Sequence, residues 1–344
     1  MKKERNLSIE LLRIYSMFFI VTGHVTGYMA QAGVLQNNPS WIERVLSALS
    51  GGMGTCAVDL FVLITGYFLI TSTALGIRRF LTIYVETLFY LVSITLIFLL
   101  SGQATWGDLA KSFFPLAPTQ FGYWFVTKYL GLILLAPFLS RLALSLSKKQ
   151  YEVLLLILLL LNTTLAYGFP LGNLYGGGWT LMWFICLYFV AGYLRLHGNS
   201  GVWMRRCPWL IAYVIGVIVW AAIQFFRVTR VALDYHSVIT FSIAFSLFVL
   251  AKNTGITDSR LIRFFAPNTF GVYLIHQHNL IIGCLVAVLS ISYNGGGNCS
   301  AWVIGGSIYV VCTLIDKLRV LMFDVLKISN LYMQVEKKME ALFK

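Results

Sequence analysis

The sequence predicts an all-α integral membrane protein with about ten transmembrane helices and both termini in the cytoplasm. Three observations carry that expectation. First, 58% of the 344 residues are apolar and 11% are charged, against about 25% charged in an average soluble domain. Second, the apolar residues arrive in blocks of about 20, the length a helix needs to cross hydrocarbon. Third, the basic residues lie in short clusters beside alternate blocks.

The blocks fall at 7–28, 54–71, 80–100, 123–143, 152–168, 179–196, 209–227, 235–252, 269–291 and 301–320. One set of alternate loops receives twenty basic residues: Lys2, Lys3 and Arg5; Arg78 and Arg79; Arg141, Lys148 and Lys149; Arg195, Arg205 and Arg206; Lys252, Arg260 and Arg263; and Lys317, Arg319, Lys327, Lys337, Lys338 and Lys344. The opposite set holds four: Arg44, Lys111, Arg227 and Arg230. Positive charge is retained in the cytoplasm, so this bias places both ends inside. It also accounts for the net charge of +13 as topology, and no nucleic-acid partner is expected. Trp41, Trp106, Trp124, Trp179 and Trp302 fall at the outer boundary, and Trp203 and Trp209 at the inner one, as an aromatic belt does. Glycine pairs and runs (Gly51-Gly52, Gly176–Gly178, Gly295–Gly297) read as mobile outer loops.

The chain divides into a ten-helix membrane domain, 1–320, and a short cytoplasmic tail, 321–344. The tail mixes Leu, Met and Phe with Lys and Glu and reads as an amphipathic helix on the inner leaflet. Lys2, Lys3 and Arg5 before an apolar run imitate a signal peptide, but Leu7–Tyr28 is too long for an h-region and carries Arg13 and His24, so an uncleaved helix is expected. The six cysteines show no metal or redox spacing; most read as small buried hydrophobes, and a Cys56–Cys299 pairing stays open.

Ionisable residues in hydrocarbon are costly and mark functional sites, or else hold helices together. Arg13 and His24 are eleven residues apart, which at 100° per residue is within 20° of three full turns, so they share a helix face and stand about 16 Å apart along the axis. Glu10, Met17, Ile20 and Gly27 share the stripe. Arg13 alone has a second reading, snorkelling to the inner interface; His24 is too deep for that. Gly23 and Gly27 form a GxxxG pattern, a helix-packing signature, although small residues beside a polar one also leave room for a substrate. Asp59 lies on the same outer side as His24. It is either a partner that orients the imidazole or an interfacial carboxylate near a helix N-terminus. Glu86 reads as an ion-pair partner of Arg78 and Arg79, and Lys128 as a snorkelling side chain. His276 and His278 point 200° apart on a helix, so at most one faces a common site.

These residues describe a membrane protein with a buried polar site and do not separate a transporter from an enzyme. No nucleotide-binding loop, metal triad, soluble catalytic domain or Ser/Cys nucleophile motif is present, and no bound cofactor is expected.

The order of the segments carries a resemblance. Arg13 through His24 is similar to the R-x10-H signature of membrane acyltransferase family 3, and Val58-Asp59-Leu60-Phe61 through Thr65-Gly66-Tyr67 to that family's VDxFFxxSG(F/Y) segment. Arg78-Arg79 stands where the family has a basic cytoplasmic motif. Gly122-Tyr123-Trp124-Phe125 resembles its aromatic WF segment, and Phe270-Gly271-Val272-Tyr273-Leu274-Ile275-His276 its GxYLxH segment. The resemblance covers residues 5 to 320. Departures are Thr82 for the last arginine of the basic motif, Val85 for its proline and Thr65 for the usual serine.

The resemblance implies a stand-alone O-acyltransferase of a bacterial plasma membrane. It would move an acyl group, most often acetyl, from acetyl-CoA to a hydroxyl of a surface glycan or lipid-linked saccharide. His24 and Asp59 would be catalytic. Arg13, Arg78 and Arg79 would hold the donor, with Glu10, Trp124, Tyr273 and His276 as further site residues. His24 suits a base that takes the hydroxyl proton, or a group acylated in passing. A transporter or flippase for a small solute or glycan precursor is the rival reading, as is a non-catalytic part of a polysaccharide-assembly complex.

Overall fold

The computed structural model describes residues 6–34, 40–116, 123–164, 178–226, 233–292 and 298–342, by backbone alone at 292, 298–300, 340 and 342. Gly122, Gly176, Gly177, Gly295–Gly297, Arg227, Arg230, residues 165–168 and both extreme termini lie outside them. Among the described residues every regular element is a helix. They run α1 (Leu7–Gln31), α2 (Trp41–Leu69), α3 (Ile77–Leu100), α4 (Trp106–Ser112), α5 (Trp124–Ser145), α6 (Lys148–Leu159, ending in a π turn over Leu160–Thr164) and α7 (Leu181–His197). Then come α8 (Arg206–Phe225), α9 (Val238–Lys252), α10 (Arg260–Phe265), α11 (Thr269–His276), α12 (Asn279–Ser292), α13 (Asn298–Val325) and α14 (Ile328–Leu342).

Among the described residues, helices fall within each of the expected apolar blocks. Five of them (α1, α2, α3, α5 and α8) are long and apolar enough to cross a membrane unaided, and α10–α11 with α12 make a sixth if a bent pair counts as one span. The chain is a polytopic membrane protein.

Local sequence sets the starts. Asn6 accepts the N–H groups of Ser8 and Ile9 at the head of α1. Ser40 with Glu43, Thr105 with Asp108, and Ser147 with Gln150 close reciprocal capping boxes on α2, α4 and α6, each satisfying two otherwise orphaned donors.

α1 and α2 are the centre of the bundle. α1 packs on α2, α9, α11, α12 and α13, while α2 also meets α5, α7 and α8. Glycine sets the tightest crossing: a Cβ on Gly66 would stand 2.7 Å from the Tyr188 carbonyl oxygen of α7, so the two backbones touch there and any side chain would push them apart.

Four expectations are corrected. α2 begins at Trp41 rather than near residue 54, because the Ser40 capping box starts a helix that Leu46, Ala48 and Leu49 carry inward. Gly51 and Gly52 are therefore not loop residues. They lie within α2 under the Trp220 ring, which a Cβ on Gly51 would meet at 2.5 Å. The single span expected over 269–291 is broken and bent by 76°. The break is built by His278, whose carbonyl accepts from Ile282 N–H at 2.9 Å and whose Nδ1 accepts from Leu280 N–H at 3.3 Å, so it starts α12 as an N-cap does. Finally, α13 runs on to Val325 and takes Arg319 into the protein, where its side chain is 10% exposed; it is not a tail charge. The tail proper forms α14, packed along α3. Cys56 is a free, fully buried thiol, and the Cys299 side chain lies outside the described residues.

Candidate active site

One cavity of about 640 Å³ runs between α1, α2, α3, α5 and the α10–α11 segment. Helical periodicity makes its walls. Arg13, Met17, Ile20 and His24 face it from α1; Gly51, Gly54, Val58, Phe61 and Thr65 from α2; Arg79, Ile83 and Glu86 from α3. Spacings of three and four keep each set on one helix face. Arg13 and His24, paired in sequence by their phase alone, thus line the same space.

Gly23 belongs to that wall, and among the described residues no atom of another element lies within 4 Å of where a Cβ on it or on Gly27 would be. The GxxxG pattern does not pack a helix here. It keeps the α1 surface low beside His24.

The ends of the cavity differ in chemistry. One end holds Glu10, Arg13, Arg79 and Glu86, with Pro267 and Thr269 beside them. α1 and α3 both begin near it, so their partial positive charge adds to the guanidinium groups. Arg13 pairs with Glu10 at 2.9 Å, and Arg13 keeps a third of its side chain exposed. Arg79 reaches the cavity; Arg78 does not line it, and its amide N–H lies 3.4 Å from Glu336 Oε1 of α14. Glu86 is not partnered by Arg78 or Arg79 as expected. It meets Arg319 at 3.0 Å, because the long α13 carries that arginine across the base of α3.

Aromatic side chains dominate elsewhere: Trp124, Phe125 and Tyr129 of α5, with Tyr235 and Tyr273. Trp124 stacks on Trp179 at 4.6 Å between ring centroids and lies 5.8 Å from Tyr235. Tyr129 bonds Thr65 at 2.8 Å.

His24 stands about three turns farther along α1 than Arg13, and the ring of its neighbour His276 lies 6.1 Å from that of Tyr273. His24 Nδ1 is 2.9 Å from His276 Nε2 and 2.7 Å from the Gln277 amide, and the Tyr28 hydroxyl closes the group at 2.5 Å from that amide. Asp59 is not its partner. That carboxylate is fully buried, accepts the Trp183 indole N–H at 2.9 Å on Oδ1 and does not line the cavity. The reason is rotational: Val58 takes the cavity-facing position of α2, which turns Asp59 toward α7. His278 is on the far side of the break, 3.4 Å from Thr95, so one histidine of the two reaches the site. Among the described residues no three His, Cys, Asp or Glu side chains converge to hold a metal ion.

A model of the acyltransferase family 3 domain, described as "Acyltransferase domain", matches residues 6–316. The chain belongs to acyltransferase family 3. No curated protein and no solved structure matches it.

In this acyltransferase the R-x10-H segment supplies the α1 wall of the cavity. Of the VDxFFxxSG-like segment, Val58, Phe61 and Thr65 reach the cavity while Asp59 does not. Gly271 of the GxYLxH-like segment serves packing instead, since a Cβ there would fall 2.2 Å from Asp316 Cγ. That carboxylate is held by Tyr90 at 2.7 Å, Asn268 at 2.7 Å and Arg319 at 2.9 Å. Glycine leaves room for a buried ionic knot that locks α3, α11 and α13 together. Gln277, Tyr28, Asp316 and Arg319 do not stand out as site residues in the sequence. The run His276-Gln277-His278, three polar residues inside an apolar block, is the available signal for the first.

Proposed function

We propose that this acyltransferase takes an acetyl group from cytoplasmic acetyl-CoA and delivers it, through its own core, to a hydroxyl of a surface glycan or its lipid-linked precursor. The observation that carries this reading is that Arg13 and His24 line one cavity about 16 Å apart along a single helix. Its polyanionic donor cannot cross hydrocarbon, but a thin pantetheine arm can reach from a cationic mouth to a base deeper in the membrane.

In this reading the basic end, with Arg13 and Arg79, opens to the cytoplasm and receives the donor's phosphates through charge-assisted hydrogen bonds. Glu10 releases Arg13 to the incoming anion. The chain crosses the membrane ten times and both termini are cytoplasmic, a topology that the charge bias of the alternate loops supports even without Arg319. The acceptor enters from the other face, where flat aromatic surfaces suit the C–H faces of a pyranose.

The chemistry is a proton transfer coupled to acyl exchange. The acceptor hydroxyl gives its proton to His24 as its oxygen bonds to the thioester carbonyl carbon. The tetrahedral intermediate collapses, the C–S bond breaks, and the thiolate leaves with the proton from His24. The products are an ester and free CoA. His24 is aligned by His276 and Gln277 and not by Asp59.

The test is acceptor-dependent release of CoA by the purified protein in nanodiscs, with acetylated glycan identified by mass spectrometry. Acetyl-CoA left intact in the presence of acceptor would overturn the reading in favour of a solute pathway. Reporter fusions after Gly178 and Asn298 should read as outside, and one after Lys149 as inside.

A further inference from the structure

A histidine that accepts a proton from a substrate must present a lone pair, and only one of its two neutral tautomers does so at a given nitrogen. Because Nδ1 of His24 is engaged by His276 and Gln277, Nε2 is the nitrogen left for the cavity. We infer that His276 is a positioning residue that fixes the tautomer of His24, accepting its Nδ1 proton so that Nε2 meets the acceptor as a base. This rests on the acyl-transfer reading, in which His24 takes the hydroxyl proton.

Counting protons gives the assignment. His276 Nδ1 is 2.6 Å from the Val272 carbonyl, one turn back on α11. A carbonyl only accepts, so Nδ1 of His276 carries a hydrogen. A second proton on that ring would place a cation at a position 1% exposed, and among the described residues none of its hydrogen-bond partners is a carboxylate. Such an unpaired buried charge is disfavoured. His276 is therefore neutral, and its Nε2 is a lone pair. The 2.9 Å contact between the rings then needs its one hydrogen from His24, on Nδ1.

The neighbours fit this count once the Gln277 amide is turned. The structure sets the Gln277 side-chain Nε2 at 2.7 Å from the same Nδ1 and 2.5 Å from the Tyr28 hydroxyl, but amide nitrogen and oxygen are assigned by their hydrogen-bond network. A half-turn of the amide exchanges its oxygen and nitrogen without moving anything else. With the oxygen toward His24, it accepts from Nδ1–H and from Tyr28 O–H at once. The opposite orientation would set N–H against N–H. The single Tyr28 hydrogen then goes to the Gln277 oxygen at 2.5 Å rather than to the His276 carbonyl at 3.3 Å, the longer of its two contacts.

The break between α11 and α12 makes the arrangement available. Consecutive residues on an unbroken helix point 100° apart, yet both His276 and Gln277 reach one atom of His24. Gln277 is the C-cap of α11, where the helix has ended. During the reaction the cycle balances: the hydroxyl proton bonds to Nε2, Nδ1–H remains shared by His276 and Gln277, and the Nε2 proton passes to the departing sulfur. His24 returns to its starting tautomer without turning its ring.

The decisive experiment is ¹⁵N NMR of the histidine-labelled protein in nanodiscs, with His24 assigned by difference from His24→Gln. The wild-type spectrum at neutral pH should show His24 with a protonated Nδ1 and a lone pair on Nε2. His276→Gln, whose amide oxygen stands where Nε2 stood, should keep that signature and most of the activity. His276→Leu, which leaves the Gln277 nitrogen free to donate to Nδ1, should shift His24 to the Nε2–H tautomer and lower kcat by up to about 10⁴, the scale of a wrong-tautomer base, with donor KM within about twofold. A wild-type His24 protonated on Nε2 would overturn the assignment, as would full activity with an unchanged His24 spectrum in His276→Leu. No transfer by a wild-type protein that does show the Nδ1–H tautomer would strike the acyl-transfer reading and support the tautomer.

Discussion

His24 Nδ1 and His276 Nε2 stand 2.9 Å apart although 252 positions separate them in the chain. The contact joins the first helix to the end of a broken one, and it sets a titratable ring at the wall of the cavity that Arg13 also lines. The chemistry assigned to this protein depends on that contact.

His24→Ala should therefore lower kcat by about 10²–10⁴, the range for loss of a general base. Donor KM should stay close to wild type, and the protein should remain folded in the membrane. Steady-state kinetics with thermal unfolding of the same preparation checks both. Full acceptor modification by His24→Ala would end the catalytic role.

Donor recognition should be carried by the arginines that reach the cavity. Loss of a charged hydrogen bond costs about 1.5–3 kcal/mol, so Arg13→Ala and Arg79→Ala should each raise acetyl-CoA KM about 10- to 100-fold. Arg78→Ala should do much less, because Arg78 does not line the cavity. Arg13→Lys should fall between, keeping the charge without the planar fork. Equal effects at Arg78 and Arg79 would contradict this geometry.

Two glycines should behave oppositely. Gly23 has open space where a Cβ would go, so Gly23→Ala should hold or raise stability, by up to about 1 kcal/mol, while Gly23→Leu blocks the cavity and lowers transfer. Gly271→Ala drives a Cβ into Asp316 and should cost about 1–3 kcal/mol, the usual penalty of overpacking. Thermal unfolding in one detergent compares all three.

Much of this site follows from helical phase. The eleven-residue interval from Arg13 to His24 is enough to place both on one wall, because the period of a helix is fixed. Tertiary choices are not legible in the same way. Nothing local distinguishes an Asp59 turned toward His24 from one bonded to Trp183 of α7. Gly51 and Gly52 read as a loop because a packing partner 169 positions away, Trp220 against Gly51, is invisible in the segment. Arg319 reads as a cytoplasmic charge because, beyond its i,i+3 neighbour Asp316 on the same helix, its partner Glu86 lies on α3 and only the assembled bundle brings the two together.

The acid response of α4 can be stated with its sign. The Thr105 hydroxyl, and then the Thr105 amide, hold the Asp108 carboxyl below its usual range, with Lys111 adding to the effect. A depressed carboxylate contributes its stability above the unfolded value, near 3.9, and loses it as pH falls through the lower folded value. Hydrogen exchange at Leu109 and Ala110 should thus show α4 capped at neutral pH and frayed only in strong acid. In Asp108→Asn it should fray at neutral pH.

Passage of an acyl group through the protein, while the donor stays on the cytoplasmic side, is the core of the proposed activity. Sealed vesicles of known orientation test it most directly, with acetyl-CoA supplied to one face and the glycan acceptor to the other. Transfer is expected only when acetyl-CoA is on the face that carries Arg13 and Arg79, with free CoA recovered on that same face. Equal transfer with the donor confined to the opposite face, or CoA recovered across the membrane, would contradict it.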